Sequence, residues 1–304
     1  MLLSVVLCTY NGEKYISKAL NGLKNQALDK KKYEIILINN NSKDKTEAVC
    51  REFEASADNI QYRYYFETKQ GLSFARNRGI AESKGDIIIF LDDDAYPTFN
   101  YLLSIFDFFN KYKDVAAIGG KIVPDFETQR PHWMSDFLLP LVSVIDLGEA
   151  IVEFPKKKYP IGANMAFRKQ VFEKYGNFNP ELGRCGEGME GGEEKDIFQR
   201  IRLNNEHVFY VPGAMVYHIV PNKRLSMEYI RKQSLGVGKS EILRVYKKGS
   251  MHILRSAFIE LIKWAVSLIL FFFYFITLRF LKGTMIIRFR YWVTKGFLNK
   301  NIKV

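Results

Sequence analysis

The sequence predicts an α/β protein whose mostly parallel β-sheet carries helices on both faces, followed by a C-terminal helical segment. Apolar runs of strand length alternate with helical periodicity over about the first 95 residues. Most residues of these runs are apolar, as in parallel strands that are buried on both faces. A length of 304 residues, 47% of them hydrophobic, suffices for one α/β domain of about 200–250 residues and an appendage.

Local patterns of apolar and polar residues predict the individual strands and helices. Residues 15–26 carry Ile16, Leu20 and Leu23 at the spacing of one helix face. Strands are predicted over residues 2–8, 34–38, 60–66, 86–91, 116–121, 207–211 and 215–219, and a strand–helix pair over 163–175. The other helices are predicted over residues 45–55, 73–83, 99–111 and 193–204, and the irregular stretches are 124–158 and the Gly-rich loop 183–192.

The positive charge lies mainly in the C-terminal part. The net charge is +12, and residues 251–304 hold nine Lys or Arg against one acid, Glu260, which gives +8 of the total. Basic and apolar character together indicate a membrane surface more than a nucleic acid. We expect a catalytic domain at 1–225, a basic helical linker at 226–252 with a flexible stretch at 236–240, and a membrane-associated tail at 253–304.

The cysteines indicate the redox compartment. Cys8, Cys50 and Cys185 are odd in number and widely spaced, which argues against a disulfide framework or a zinc site. Residues 2–8 are short and have no basic leader, so we expect no signal peptide. A reducing cytosol is the expected compartment.

The strongest local signal is an apolar strand that ends in three carboxylates, Asp92, Asp93 and Asp94. Ligands of open parallel sheets bind at the carboxyl ends of the strands. Adjacent carboxylates repel one another, and they are hard ligands suited to Mg²⁺ or Mn²⁺ held with a diphosphate. A solvated acidic turn is the alternative interpretation.

Two further loops lie at the same edge of the predicted sheet. Polar side chains there can hydrogen-bond a nucleotide, although Asn and Gly also favour ordinary turns. The candidate residues for nucleotide binding are Thr9, Tyr10, Asn11 and Glu13 after the first strand, and Asn39 and Asn40 after the second.

Glu193 and Glu194 open a predicted helix. Acids at a helix N-terminus complement its dipole, so a well-capped helix explains them without any function. The functional interpretation requires one of them to reach the edge of the sheet as a general base.

Taken in order, these segments resemble family 2 glycosyltransferases over about the first 225 residues. Six stretches carry the resemblance, and together they are specific: residues 5–11, 39–44, Gly71-Leu72-Ser73 with Ala75-Arg76-Asn77, Asp92-Asp93-Asp94, 162–168, and Gly192-Glu193-Glu194. The chain departs from the family pattern where Asn39 and Asn40 replace the usual Asp, and where Glu194 replaces an Asp.

The resemblance implies a GT-A fold, a nucleotide-sugar donor such as a UDP-sugar, a divalent metal and inversion at the anomeric carbon. It implies that Arg76, Asn77, Asp92 and Asp93 contact the donor, and that Asp92 and Asp94 hold the metal. Glu194 is the implied base, with Glu193 as its rival. His218 is a candidate third metal ligand, although a histidine at a strand end is more often only hydrogen-bonded.

Two other classes of protein compete with this interpretation. A nucleotidyltransferase also uses carboxylates and a metal, but it would carry a Gly-rich, Arg-bearing loop where residues 9–13 stand. A nucleic-acid-binding protein would need a basic stripe on the folded domain, and the net charge outside the tail is only +4. We therefore expect a nucleotide sugar and a glycan or lipid-linked acceptor as partners, and no nucleic acid.

The apolar tail suggests how the protein meets the membrane. The charge-free residues 264–278 would span about 22 Å as a helix, short of the roughly 30 Å hydrocarbon core. A single crossing would also leave six basic residues on the far side, against the positive-inside rule. We expect a monotopic or re-entrant anchor on the cytoplasmic face of the inner membrane, with a single-pass span as the second choice.

Overall fold

The computed structural model describes residues 1–57, 59–156, 158–186, 191–246 and 249–299. They form two compact units: Met1–Asp125 with Ser143–Ile219, and Phe126–Val142 with the chain from Val220 onwards. Parts of the expected Gly-rich loop (187–190), linker (247–248) and tail (300–304) lie outside the described residues.

Four parallel strands begin the sheet of the first unit, in the order β3-β2-β1-β4. This arrangement confirms the parallel βαβ series that the alternation predicts. The elements are β1 (Leu3–Thr9), α1 (Ile16–Lys24), β2 (Tyr33–Asn39), α2 (Thr46–Ala55), β3 (Gln61–Phe66), α3 (Leu72–Glu82), β4 (Ile87–Asp92), β5 (Ala95–Pro97) and α4 (Tyr101–Lys111).

Later strands extend the sheet in the order β4-β8-β6-β9-β5, and the pairings β4–β8, β6–β8 and β5–β9 are antiparallel. These elements are β6 (Ala117–Phe126), β7 (Val152–Glu153), β8 (Met165–Arg168), α5 (Gln170–Tyr175), α6 (Glu193–Leu203) and β9 (Val208–Val220). Two short strands were expected where β9 runs unbroken for 13 residues through Pro212 and Gly213. Pro212 and Gly213 favour turns, so the sequence predicted a break between two strands. Pairing with β5 and β7 keeps the segment extended instead.

Apolar side chains cover both faces of the parallel strands. Val5 and Leu7 join the core with α1, α2 and α4, while Val6 joins the core with α3, α5 and α6. Alternate residues of a strand point to opposite faces, so a strand between two helical layers is apolar at nearly every position. The largely apolar sequence of β1 therefore suits its central place in the sheet.

Long helices dominate the second unit: α7 (Met227–Tyr246), α8 (Ser250–Ile276) and α9 (Phe280–Phe297). The stretch 236–240 is not a flexible linker, since it lies inside α7. A Cβ at Gly238 would lie 2.0 Å from the Val293 carbonyl oxygen, and one at Gly296 would lie 2.1 Å from the Leu235 carbonyl oxygen. Glycine is thus required because α7 and α9 cross in backbone contact.

Helix α8 is much longer than the charge-free run on which the sequence prediction relied. Its 27 residues extend about 40 Å. Of the helices that the structure describes, it alone is long and apolar enough to cross a membrane by length and composition, and 11% of its most apolar 18 residues are buried.

Candidate active site

Strands β1, β2 and β4 end together at one edge of the sheet. Thr9 pairs with Asn39, and Cys8 pairs with Asp92, so the three polar loops that follow these strands are neighbours. The parallel register is the physical reason that segments more than 80 residues apart in sequence converge there.

The loops after β1 and β2 are bound to each other by hydrogen bonds. The Lys43 amide donates to Asn11 Oδ1 (2.8 Å), and the Lys45 amide donates to Glu13 Oε2 (2.8 Å). Asn11 has a φ of 54°, which Asn tolerates better than most residues. Asn11 and Glu13 therefore shape the loop pair, whereas Tyr10 is half-buried beside it.

Asn39 and Asn40 are buried, and the protein itself engages their amide groups. Asn39 donates to the Tyr64 hydroxyl (2.9 Å), and Asn40 donates to the Lys69 carbonyl (2.7 Å). Asn40 Oδ1 accepts from the Gly71 amide at 2.8 Å. In this geometry both side chains hold the loops at this edge of the sheet in place.

Thr9 and Asp93 lie in direct contact at the same edge. The Thr9 hydroxyl donates to Asp93 Oδ2 at 2.5 Å. A Cβ at Gly12 would lie 2.2 Å from Thr9 Oγ1 and 2.4 Å from Asp93 Oδ2. Only glycine lets the first loop approach this pair so closely.

The structure brings His218 to Asp94. Residues Ala95 and His218 are paired across β5 and β9, and His218 Nε2 lies 3.3 Å from Asp94 Oδ1. Both side chains are about nine-tenths buried or more. The described part of the chain shows no group of three or more His, Cys, Asp or Glu side chains that could hold a metal, so the expected trio with Asp92 is not assembled.

Asp92 instead faces Arg76, whose Nη2 lies 3.7 Å from Asp92 Oδ1. Burial raises the pKa of the Asp92 carboxyl, Arg76 opposes that rise, and the neighbouring Asp94 adds to it. The two acids of the expected metal site thus repel each other, which is the condition under which a cation binds favourably.

Arg76 is also bound to the two acids that begin α6. Its Nη1 donates to Glu193 Oε1 (2.9 Å), and its Nη2 donates to Glu194 Oε1 (3.2 Å). The arginine is 2% exposed. Three carboxylates thus surround one buried cation, an imbalance typical of functional sites.

Glu193 and Glu194 differ in how freely they face the site. Glu193 is 5% exposed, and its second oxygen accepts from the Gly192 amide at 2.9 Å. Glu194 is 18% exposed, and both hydrogen bonds it makes with described residues end on Oε1. Burial raises the pKa of the Glu194 carboxyl to about 7, with Arg76 lowering it and Glu193 raising it. A carboxyl with such a pKa can exchange protons near neutrality.

Asn77 is bound to the backbone of Phe178. Its side chain donates to the Phe178 carbonyl (2.8 Å) and accepts from the Phe178 amide (3.0 Å). These two bonds tie α3 to the segment after α5, so the geometry supports a structural role for Asn77.

Two site residues were not predicted from the sequence. The Gly162 amide donates to Glu194 Oε1 at 2.7 Å, and Arg184 acts electrostatically on Asp92. Gly162 opens one of the six stretches that carry the family resemblance, so a signal for it existed. Arg184 lies in the Gly-rich loop, and its role depends on tertiary placement: the Arg184 carbonyl accepts from the Leu72 amide at 2.8 Å.

Comparison with known proteins is consistent with this geometry. Residues 4–176 match the family model described as "Glycosyl transferase family 2". Over 246 residues the chain is 25% identical to a glucosyl-dolichyl phosphate glucuronosyltransferase of Haloferax volcanii, covering 79% of this chain and 76% of that protein. A second relative, from Methanococcus voltae, is 32% identical over 124 residues, which cover 40% of this chain and 39% of that protein. It is a dolichyl N-acetyl-alpha-D-glucosaminyl phosphate 3-beta-D-2,3-diacetamido-2,3-dideoxy-beta-D-glucuronosyltransferase.

Solved structures show the same fold. The mannosyltransferase PcManGT from Pyrobaculum calidifontis, in complex with GDP-Man and Mn²⁺, matches with a TM-score of 0.64 at 16% identity, covering 98% of this chain and 87% of that one. The fragment 1-349 of S. aureus TarS in complex with UDP matches with a TM-score of 0.56 at 18% identity, and the match covers 78% of this chain and 65% of that fragment, just under two thirds of its length.

The chain belongs to glycosyl transferase family 2, and it is a glycosyltransferase of GT-A fold. The predicted family, fold and enzyme class are thereby confirmed. Family membership also favours the glycosyltransferase over the nucleotidyltransferase and over the nucleic-acid-binding protein.

Proposed function

We propose that the protein transfers a sugar from a nucleotide-diphosphate sugar to a hydroxyl of a lipid-linked or polysaccharide acceptor, with inversion at the anomeric carbon. A UDP-sugar is the first donor to test. The observation that carries this proposal is the Glu194 carboxyl at the edge of the sheet, with its pKa raised to about 7. The printed names of relatives, which include dolichyl-phosphate substrates, support the class of acceptor.

Glu194 is the proposed base. Arg76 and the Gly162 amide hold Oε1, so Oε2 is the oxygen that accepts the proton of the attacking hydroxyl. Attack from the face opposite the departing diphosphate inverts the anomeric carbon. Glu193 is the weaker candidate because hydrogen bonds engage both of its oxygens.

A divalent cation fits the other half of the site. Asp94 and His218 supply a carboxylate and an imidazole 3.3 Å apart, and Mg²⁺ commonly binds one or two carboxylates together with substrate phosphates. When bound, Mn²⁺ or Mg²⁺ would neutralise charge on the diphosphate. Thr9, Asp93 and the paired loops at Asn11 and Asn40 are the proposed wall of the nucleotide site.

A donor and acceptor panel tests the proposal. The protein is incubated with UDP- and GDP-sugars, Mn²⁺ and polyprenyl-phosphate-linked glycans, while nucleoside diphosphate release is followed and products are analysed by mass spectrometry. Release that depends on acceptor, with the opposite anomeric configuration in the product, supports it. Retention of configuration, or no transfer to any hydroxyl acceptor, contradicts it.

Helix α8 supports association with the cytoplasmic face of a membrane. Its exposed large apolar side chains recur at three- and four-residue spacing along the whole helix, which is the pattern of a helix that contacts acyl chains. They include Met251, Leu254, Phe258, Leu261, Ile262, Ile269, Phe272, Phe273 and Ile276. Nucleotide sugars are cytosolic, so the catalytic unit must face the cytosol.

A monotopic or re-entrant anchor remains our choice over a single-pass span, because the basic residues of α9 then stay on the anionic leaflet. A cysteine added at the C-terminus, and an impermeant thiol reagent on intact cells, distinguish the two. Protection supports the anchor, whereas labelling from outside shows a span. A matched cysteine in a periplasmic or extracellular loop of another protein serves as the positive control.

A further inference from the structure

The Arg76 side chain is buried among aromatic rings and carboxylates. Its guanidinium is 2% exposed and lies 5.9 Å from the ring centre of Phe90 and 5.4 Å from that of Phe178. The opposite side of the group is filled by carboxylates: Glu193 at 2.9 Å, Glu194 at 3.2 Å and Asp92 at 3.7 Å.

Gly162 lies directly against Arg76 Nη2. A Cβ built on Gly162 would lie 1.8 Å from Arg76 Nη2 and 2.4 Å from Glu194 Oε1. The backbone of Gly162 therefore covers the ion pair, and its amide donates to the same Glu194 oxygen at 2.7 Å. A glycine is required because any side chain would push the guanidinium and the carboxylate apart.

This setting is unsuitable for binding a phosphate. A diphosphate that contacted Arg76 would have to displace a carboxylate or the Gly162 backbone, and it would meet three negative charges. Like charges at such distances repel strongly in a buried environment. The family resemblance suggests a donor contact for Arg76, whereas the local geometry does not favour one.

We infer that Arg76 is a positioning residue: together with the Gly162 amide it holds Glu194 Oε1, so that Oε2 faces the acceptor hydroxyl, and it does not bind the donor. The inference rests on the proposed function, in which Glu194 is the base. Arg76 then acts on turnover only through Glu194, and the two residues form one unit whose effects on the rate do not add.

A double-mutant cycle tests this inference. The variants Arg76→Lys, Glu194→Gln and the double variant are compared for kcat in the acceptor-dependent assay. Binding of UDP and of GDP, each with Mn²⁺, is measured by calorimetry. Lysine keeps the buried positive charge but lacks the two-pronged guanidinium. We expect Arg76→Lys to lower kcat about 10²-fold, the usual effect of misplacing a catalytic group by about 1 Å.

The expected pattern has two further parts. Nucleotide affinity in Arg76→Lys stays within about threefold of wild type, well under the 1.4 kcal/mol that a tenfold change represents. The double variant is no slower than Glu194→Gln alone. The matched control is Arg78→Lys on the same helix, where the arginine is 41% exposed and pairs with Glu82 at 2.8 Å, and this variant should keep wild-type kcat.

Each contrary result has a distinct meaning. A loss of nucleotide affinity in Arg76→Lys, or additive rate losses in the double variant, overturns the positioning role while the proposed base stands. Full activity of Glu194→Gln overturns both the proposed base and the inference that depends on it. If Arg76→Lys does not fold, as judged by circular dichroism, Gly162→Ala replaces it: the added methyl group displaces Arg76 and Glu194, and the same loss of kcat with unchanged nucleotide affinity is expected.

Discussion

Both units of the molecule bury an arginine against acidic side chains, but the charge balance differs. In the first unit Arg76 faces Glu193, Glu194 and Asp92, three acids against one cation. In the second unit Arg290 is 7% exposed and lies 3.2 Å from Glu260, which also binds Lys263 at 2.5 Å. The first cluster has excess negative charge, whereas the second has two cations for one acid.

This difference in charge balance distinguishes a candidate active site from an ion pair with a structural role. Burial raises the pKa of Glu194 and of Asp92, and the neighbouring carboxylates add to the rise, which favours a bound cation or proton at the edge of the sheet. The second cluster joins α8 to α9, and Arg290 also donates to the Ser267 hydroxyl at 3.3 Å. Within the second cluster the buried charges of Arg290 and Glu260 balance each other, and the second cation, Lys263, is 43% exposed to solvent. A buried pair of this kind fixes the geometry of two helices.

The largest effect is expected at Asp94. Asp94→Ala removes the carboxylate that lies beside His218, so the candidate cation site loses one of its two side chains and turnover should fall below detection. The measurement is nucleoside diphosphate release over a Mn²⁺ titration, with circular dichroism to confirm the fold. Asp125→Asn is the matched control, because that half-exposed acid binds Lys18 and Tyr96 instead. Full activity of Asp94→Ala, or of wild type in EDTA, would show that no metal acts here.

The next largest effect concerns the base. Glu194→Gln should lose about 10²–10⁴ in kcat, the usual contribution of general-base catalysis, while nucleotide affinity is kept. Glu193→Gln is the matched variant on the same turn of helix, and it should lose much less because Glu193 Oε1 and Oε2 already accept hydrogen bonds. An inactive Glu193→Gln beside an active Glu194→Gln would assign the base to the other carboxyl.

Local sequence pattern predicted the first half of the sheet well, for a physical reason. A strand buried on both faces is apolar at nearly every position, so β1 and β4 can be predicted from the sequence alone. The short strand β5 and the unbroken β9 were missed, since they exist by pairing with each other and the turn residues Pro212 and Gly213 favour a break. Tertiary pairing overrode local propensity there.

In the candidate site, too, some features could be predicted from the sequence and others depend on tertiary contacts. The three acids at the end of β4 were identified from their place in the chain, because ligands of open sheets bind at the ends of buried strands. The two acids that begin α6 were identified from the family resemblance. The sequence does not reveal that Arg76 joins the two groups, or that Asn39, Asn40 and Asn77 use their amides within the protein. Those facts depend on distances between α3, α6 and the loops, which no linear pattern encodes.

An intermediate effect, on stability, is expected from the second cluster. Glu260→Gln leaves Arg290 buried without its carboxylate, and breaking a buried pair costs about 3–5 kcal/mol. Hydrogen–deuterium exchange should show lost protection in α8 and α9. Lys263→Gln is the control: Lys263 is 43% exposed, so its loss should cost less than about 1 kcal/mol. If both variants lost protection from exchange equally, the Glu260–Arg290 pair would not be what holds α8 and α9 together.

The smallest effect concerns the pH dependence of turnover, and it addresses the charge imbalance directly. The base is active only as a carboxylate, and the Glu194 pKa of about 7 lies above the ordinary value of 4.5. Turnover should therefore fall as pH drops through 7, by about tenfold per pH unit once the pH is below 6. Because Glu193 contributes to raising this pKa, Glu193→Gln should move the fall to lower pH. The measurement is kcat from pH 5.5 to 8.5 in wild type and Glu193→Gln, with Arg78→Lys as a surface control. A profile that is flat over this range, or one that Glu193→Gln leaves in place, would mean that the excess negative charge does not control the base.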